Sequence, residues 1–275
     1  MKTLVYDIGN TQIKMGVFED TRLLKSWRLT TGTAKTSDEY GVEVVMLLKL
    51  AGIEPESLDC VAVASVVPAI MSSFCNGIRR YLGKEPLLIG PGIKTGVKLK
   101  VPHPKEVGAD LIADVVAASK LYDGPCIVVD FGTATKYLVI DEEGAMIAAI
   151  FTPGIGISAE VLTGKAAQLP GFEIRKPKSI LTNETVECMQ AGIVYGAIGQ
   201  VKYIVEQIRL EMGDPDMKVI ATGGFGRLMV PELSCISEYN STLILDGIRM
   251  LAEMNRPRRK HKAATYGAVG EEENG

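Results

Sequence analysis

Ile127-Val128-Val129-Asp130-Phe131-Gly132-Thr133-Ala134-Thr135 is a β-branched strand that ends on an acid and turns on a glycine. Tyr137-Leu138-Val139-Ile140 follows at once and returns the chain as a second strand, so the stretch predicts a hairpin. The N-terminus repeats it: Leu4-Val5-Tyr6-Asp7-Ile8-Gly9-Asn10-Thr11, then Met15-Gly16-Val17-Phe18. Asp7 and Gly9 precede Asp130 and Gly132 by the same 123 residues. One hairpin carried twice, half a chain apart, predicts two copies of one domain facing each other across a cleft.

The hairpin has a chemistry. An acid at a strand end can hold a hydrated cation. A glycine two residues on lets the backbone approach an anion, because no Cβ stands in the way. Turn N–H groups and the side chains of Asn10, Thr11 and Thr133 can then donate to phosphate oxygens. A single Asp-x-Gly-Thr reads most simply as an ordinary glycine turn. The repetition in matched strand context is what favours two hairpins gripping a nucleoside triphosphate from both sides.

The rest of the composition narrows the class. A formal net charge of −3 over 275 residues leaves no basic footprint for nucleic acid. No apolar run reaches the length of a membrane span, and the first residues enter a strand rather than a signal peptide. The five cysteines, at 60, 75, 126, 188 and 235, are scattered with no C-x-x-C, which fits reduced thiols in a cytoplasmic protein. Having only His103 and His261 argues against a histidine-based metal site or triad.

Periodicity supplies the remaining elements. Strands are expected to Phe18 and over Arg22 to Leu29, then a helix from Ser37 with Val42, Val45, Met46, Leu48, Leu50 and Ala51 as its apolar side, closed by Gly52. Strands follow over Asp59 to Val67 and Pro86 to Ile89, with a short helix opened by Pro68 between them. A Gly/Pro loop leads to Gly108-Ala109-Asp110, where a helix begins and runs to Tyr122. The second half repeats the scheme with strands at 126–131, 135–140 and 145–151 and a helix from Pro153-Gly154 to about Ala167, stopped by Gln168-Leu169-Pro170. A long helix, capped by Thr182 or Asn183, carries Gly192, Gly196 and Gly199 on one side. That side predicts close packing, within the chain or against a second copy. A strand from Met217 runs into Thr222-Gly223-Gly224, and Leu243 to Met254 is the last helix. The expected division is 1–123, 124–255 and a mobile tail 256–275. Strands alternating with helices make an α/β fold, and the leading hairpins make its sheets mixed rather than purely parallel.

There is no G-x-x-x-x-G-K-[ST], so the common P-loop is excluded. Gly154-Ile155-Gly156-Ile157-Ser158-Ala159 has a dinucleotide-like spacing but no acid some 20 residues on, and reads better as a helix N-terminus closing over a small substrate. Thr222-Gly223-Gly224 is either a simple strand-to-helix turn or a flat seat for adenine. Asp110 either complements the dipole of its helix or accepts a proton from an attacking hydroxyl. Asp114, one turn on, reads as structural.

Taken in order, Asp7-Ile8-Gly9-Asn10-Thr11, Val63-Ala64-Ser65-Val66-Val67-Pro68, Gly108-Ala109-Asp110, Asp130-Phe131-Gly132-Thr133-Ala134-Thr135, Pro153-Gly154 and Thr222-Gly223-Gly224 resemble the type III pantothenate kinases over residues 1–255. The resemblance implies the duplicated actin-like (ribonuclease H-like) fold shared with acetate and sugar kinases, Hsc70 and actin. It implies transfer of the ATP γ-phosphate to the hydroxyl of pantothenate, opening coenzyme A synthesis, by a homodimer using Mg²⁺ and a monovalent cation, K⁺ or NH₄⁺. Matched motif to motif, the ATP and phosphate set is Asp7, Gly9, Asn10, Thr11, Lys14, Gly132 and Thr133, with Thr222, Gly223 and Gly224 near adenosine. Asp7 would meet Mg²⁺ and Asp130 the monovalent cation. Gly108, Ala109, Asp110, Leu111, Gly154 and Thr185 would border pantothenate, with Asp110 as general base.

Two positions depart from that pattern. The family reads Gly-Ala-Asp-Arg where this chain has Leu111, and Val101 stands where many members place an aromatic. An arginine could fork two hydrogen bonds to the pantothenate carboxylate; a leucine cannot. Lys98, Lys100 or Lys105 would then have to replace it. The departures leave two further readings beside the pantothenate kinase: a kinase of a related small alcohol, and an inactive nucleotide-binding regulator of the same fold.

Overall fold

The computed structural model describes residues 1–32, 35–90, 92–165 and 169–256. The tail beyond Arg256, and the stretch around Ala167 where the fourth helix was expected to end, lie outside the described residues.

In the first half, β1 (Lys2–Ile8), β2 (Gln12–Glu19) and β3 (Arg22–Thr30) precede α1 (Ser37–Leu50), β4 (Cys60–Ser65), α2 (Pro68–Leu82) and β5 (Leu87–Ile89). Helix α3 (Ala109–Leu121) leads into the second half: β6 (Cys126–Phe131), β7 (Ala134–Ile140), β8 (Met146–Pro153), α4 (Ile155–Lys165) and α5 (Thr185–Met212). It is completed by β9 (Lys218–Thr222), α6 (Gly226–Met229), β10 (Glu238–Tyr239) and α7 (Leu243–Asn255). Both α6 and β10 are too short for periodicity to declare, and neither was expected.

The duplication is visible in the sheets. The first has the order β3-β2-β1-β4-β5; the second, read from its β8 edge, has β8-β7-β6-β9-β10. In each, the hairpin pair is antiparallel and the neighbour on the other side parallel: β1 with β2 and β4, β6 with β7 and β9.

Both sheets are covered on both faces, which is why β1 and β6 are apolar at nearly every position. Leu4, Tyr6 and Ile8 face α1 and α2, packing with Tyr40, Phe74 and Ile78. Val5, between them, faces the other way and packs with Ile112, Ile244 and Ile248 of α3 and α7. In β6, Ile127, Val129 and Phe131 pack against α5, while Cys126 and Val128 pack with Leu111 and Val115 of α3. Helix α3 thus serves both sheets. It crosses α7 at Gly247, where any Cβ would run into the carbonyl of Ala113. Alternation then dictates that Asp7, in phase with Val5, and Asp130, in phase with Val128, both look toward this shared helix layer.

Helix α1 corrects one expectation. Its buried residues are Tyr40, Gly41, Val44 and Leu48, whereas Val42, Met46 and Leu50 of the expected apolar side are exposed. Its N-cap is Thr36, in a capping box with Glu39, and Ser37 is the first helical residue. No helix among the described residues is long and apolar enough to cross a membrane.

Candidate active site

Each hairpin turn is closed by its glycine: Gly9 N–H donates to the carbonyl of Gln12 at 3.0 Å, and Gly132 N–H to that of Ala134 at 3.2 Å. Each acid sits directly opposite a lysine on the returning strand, Asp7 opposite Lys14 and Asp130 opposite Lys136. Lys14 Nζ lies 3.3 Å from Asp7 Oδ2, and Lys136 Nζ 2.9 Å from Asp130 Oδ2. Lys136 Nζ also donates to Asp110 Oδ2 at 2.7 Å, joining the second hairpin to the start of α3. Sequence reasoning missed Lys136. The signal was its equivalence to Lys14, hidden because the second hairpin is one residue shorter. The two turns meet at their tips, where the Thr11 and Thr133 hydroxyls are 3.2 Å apart.

Between the halves lies a cleft of about 470 Å³. Of the expected phosphate set, Asp7, Gly9, Asn10, Thr11, Lys14, Gly132, Thr133 and Gly224 line it, and Asp110, Asp130 and Lys136 join them. Gly156, Ile157 and Glu160 of α4 form another wall.

The floor is densely charged and largely buried. Asp7 is 7 % exposed and Asp130 4 %, while Asp114, on the α3 turn behind Asp110, is 0 % exposed. Burial raises the pKa of Asp7, with Lys14 opposing the shift. Burial and the Asp130 carboxylate push Asp114 well above the usual carboxylate range, and neither of its oxygens has a hydrogen-bond partner. Lys136 goes the other way. Burial would lower its pKa, but Asp130, Asp110 and Asp114 more than reverse that and hold the ammonium charged. Lys14 is likewise raised by Asp7, Asp130 and Asp114 against its burial. Paired in this way, buried charges become tolerable in a core that would reject each alone.

Several expected positions support the cleft without lining it. Gly154 is pressed against the carbonyls of Gly132 and Thr133, and a Cβ would clash with both. Gly108 caps α3 so closely to the Asp110 carboxylate that it too admits no Cβ. Gly223 takes φ 92° and packs on Asp130 and Phe131, while Thr222 is buried opposite Asp130. Ala109 is buried in the α3–α7 layer. Leu111 points into the core, where it packs in one cluster with Val101, Val107 and Leu138, so it does not border the cleft. Thr185 is exposed at the first turn of α5, also away from the cleft lining. Of the three lysines considered as substitutes for the missing arginine, Lys100 is engaged by Asp141 and Glu143, and Lys98 and Lys105 are exposed outside the cleft lining. The cations that do line the site are Lys14, Arg28 and Lys136.

A second recess of about 290 Å³ continues past Gly224, lined by Lys14, Trp27, Arg28, Arg227 and Tyr239 among others. Arg28 lies opposite Lys14 across β2 and β3. Nothing local in the sequence marks it, because its role depends on strand register.

Helix α5 carries one more feature. Gly192, Gly196 and Gly199 are exposed, and a Cβ built on any of them meets nothing within 4 Å. The same stripe continues to Tyr203 and Leu210, both exposed. The glycines therefore do not serve packing within the chain.

Residues 3–207 match the sequence profile of the type III pantothenate kinases. A type III pantothenate kinase of Agathobacter rectalis is 44% identical over 248 residues, covering 90% of this chain and 95% of the relative. Among solved structures, one from Campylobacter jejuni described as a Baf family transcriptional activator aligns with TM-score 0.54 at 15% identity, over 91% of this chain and 96% of its own. The activator of 2-hydroxyisocaproyl-CoA dehydratase from Clostridium difficile, with bound ADPNP, aligns with TM-score 0.53 at 16% identity, over 92% and 93%. At those identities the likeness is one of fold: the duplicated actin-like ATPase architecture.

Proposed function

The chain belongs to the type III pantothenate kinase family, and from that premise we infer how its cleft performs ATP-dependent phosphorylation of pantothenate to 4′-phosphopantothenate, the first step of coenzyme A biosynthesis. The observation that carries the reading is the convergence of both hairpins and Asp110 on one cleft.

In this reading the triphosphate lies between the hairpins. Asn10, Thr11 and Thr133 donate to its oxygens from both sides, Gly9 and Gly132 let the backbone approach them, and Lys14 adds charge. Adenosine extends over Gly224 toward the recess of Trp27, Arg28 and Arg227. Asp110 accepts the proton of the acceptor hydroxyl. As that oxygen bonds to the γ-phosphorus, the bond to the bridging oxygen breaks and ADP leaves. Lys136 and the cap at Gly108 hold the Asp110 carboxylate in place.

Among the described residues no three His, Cys, Asp or Glu side chains form a metal cage. Mg²⁺ takes one or two protein carboxylates and completes its shell with phosphate oxygens and water. Asp7 would hold it by the oxygen not paired with Lys14, and when bound it neutralises charge developing on the phosphates.

The exposed glycine stripe of α5 supports a homodimer through that helix, since small residues allow close approach of a second copy. Thr185, on the first turn of the same helix, would then serve the acceptor site only by way of a partner. The reading stands on whether ADP appears from ATP only when pantothenate is present, with phosphopantothenate formed in equal amount.

A further inference from the structure

The resemblance implies a monovalent cation at Asp130, and the residues present do not fit one. Asp130 Oδ2 is already 2.9 Å from the Lys136 ammonium. Its other oxygen, Oδ1, has no hydrogen-bond partner and is closed in by Gly223, whose added Cβ would overlap it. A free ion would have to share the carboxylate with a buried like charge at contact distance, which costs more in a buried site than in water.

We infer that Lys136 supplies this monovalent positive charge from within the chain, so that the reaction proposed above runs without bound K⁺ or NH₄⁺. The inference rests on that kinase reading for its activity arm only.

Three observations carry it. The Asp130–Lys136 pair is set by sheet register: the two residues face each other directly in the β6–β7 ladder, so the ammonium is built in rather than swung in. Its side chain is only 15% exposed, and it bridges Asp130 to Asp110 at 2.9 and 2.7 Å, so one ammonium ties the second hairpin to the proposed base. The first hairpin bears the equivalent Asp7–Lys14 pair, so each half carries its own ammonium beside its strand-end acid. An ammonium on a tether and a K⁺ ion carry the same charge and accept the same oxygen ligands. The tethered one pays no entropy of capture.

The test compares K⁺ with tetramethylammonium, which is too large to enter such a site. ADP affinity is measured by calorimetry and pantothenate-dependent ADP release by coupled assay, for the full chain and for Lys136→Ala. In the unaltered protein both quantities should agree within about twofold between the two salts. In Lys136→Ala with tetramethylammonium, ADP affinity should fall about tenfold or more, as for a lost charge-assisted contact. K⁺ or NH₄⁺ should restore most of it by filling the vacated position. A tenfold gain from K⁺ in the unaltered protein overturns the inference, as does a Lys136→Ala protein indifferent to salt. An effect of Lys136→Ala on the KM for pantothenate alone, with ADP affinity unchanged, also overturns it, by assigning the lysine to the acceptor. Should Lys136→Ala fail to fold, the salt comparison on the unaltered protein decides by itself. If no salt supports pantothenate-dependent turnover, the kinase reading fails, while the ADP affinities still decide the role of Lys136.

Discussion

Thr11 and Thr133 touch across the cleft, hydroxyl to hydroxyl at 3.2 Å, one from each hairpin of the duplicated fold. The two turns that close on a phosphate in the proposed reading are thus already in register with each other. Replacing either threonine by alanine should raise the KM for ATP by about tenfold, the worth of one hydrogen bond to a charged oxygen. The double variant should lose less than the sum, because the two hydroxyls are hydrogen-bonded to each other. Steady-state kinetics on the three variants checks this.

Leu111 offers a less intuitive test. Restoring the family's arginine there should not improve pantothenate binding. Leu111 is 8% exposed and packs with Val101, Val107 and Leu138, so Leu111→Arg forces a guanidinium into an apolar cluster. Urea unfolding should show a loss of about 2 kcal/mol or more, with no fall in the KM for pantothenate.

Asp114 makes stability depend on pH. Its pKa in the folded protein is raised by burial and by Asp130. Above the ordinary carboxylate value the folded state therefore holds a proton that the unfolded chain has given up. Stability is then lost as pH rises toward the folded pKa. Asp114→Asn has the same shape and no proton to lose. Its melting temperature should gain on that of the unaltered protein as pH rises from about 5 to 8. A difference that stays constant or moves against the variant over that range would show that Asp114 is held as a carboxylate.

The stripe of Gly192, Gly196 and Gly199 leads to a prediction on assembly. Gly196→Arg meets nothing within the chain, so the fold should be unaffected by circular dichroism. Light scattering should show a shift from dimer to monomer, and turnover should fall if Thr185 acts across the interface.

What could be read in advance was local. The two hairpins, with Asp7 and Asp130 at matched strand ends, declare themselves through alternation and a glycine turn, and so does the capped start of α3 at Asp110. What escaped depends on register or phase. Lys136 meets Asp130 only once β6 and β7 are aligned, and Arg28 meets Lys14 only across a third strand. Leu111 follows Asp110 by one residue, yet one helical step of about 100° turns it from the cleft edge into the core. The packing of α7, last in the chain, on the first sheet is a long-range choice that no window of residues displays. In α1, a stripe of Val42, Met46 and Leu50 one turn apart resembled a buried side and faces solvent instead.

The most direct measurement follows ATP and pantothenate together, with phosphopantothenate detected by mass and ADP by coupled assay, for the unaltered chain and Asp110→Asn. The geometry predicts equal amounts of both products, no ADP without pantothenate, and a kcat lowered by about 10²–10⁴-fold in Asp110→Asn with ADP affinity preserved. ADP release indifferent to pantothenate, or an Asp110→Asn variant as fast as the unaltered protein, would contradict it.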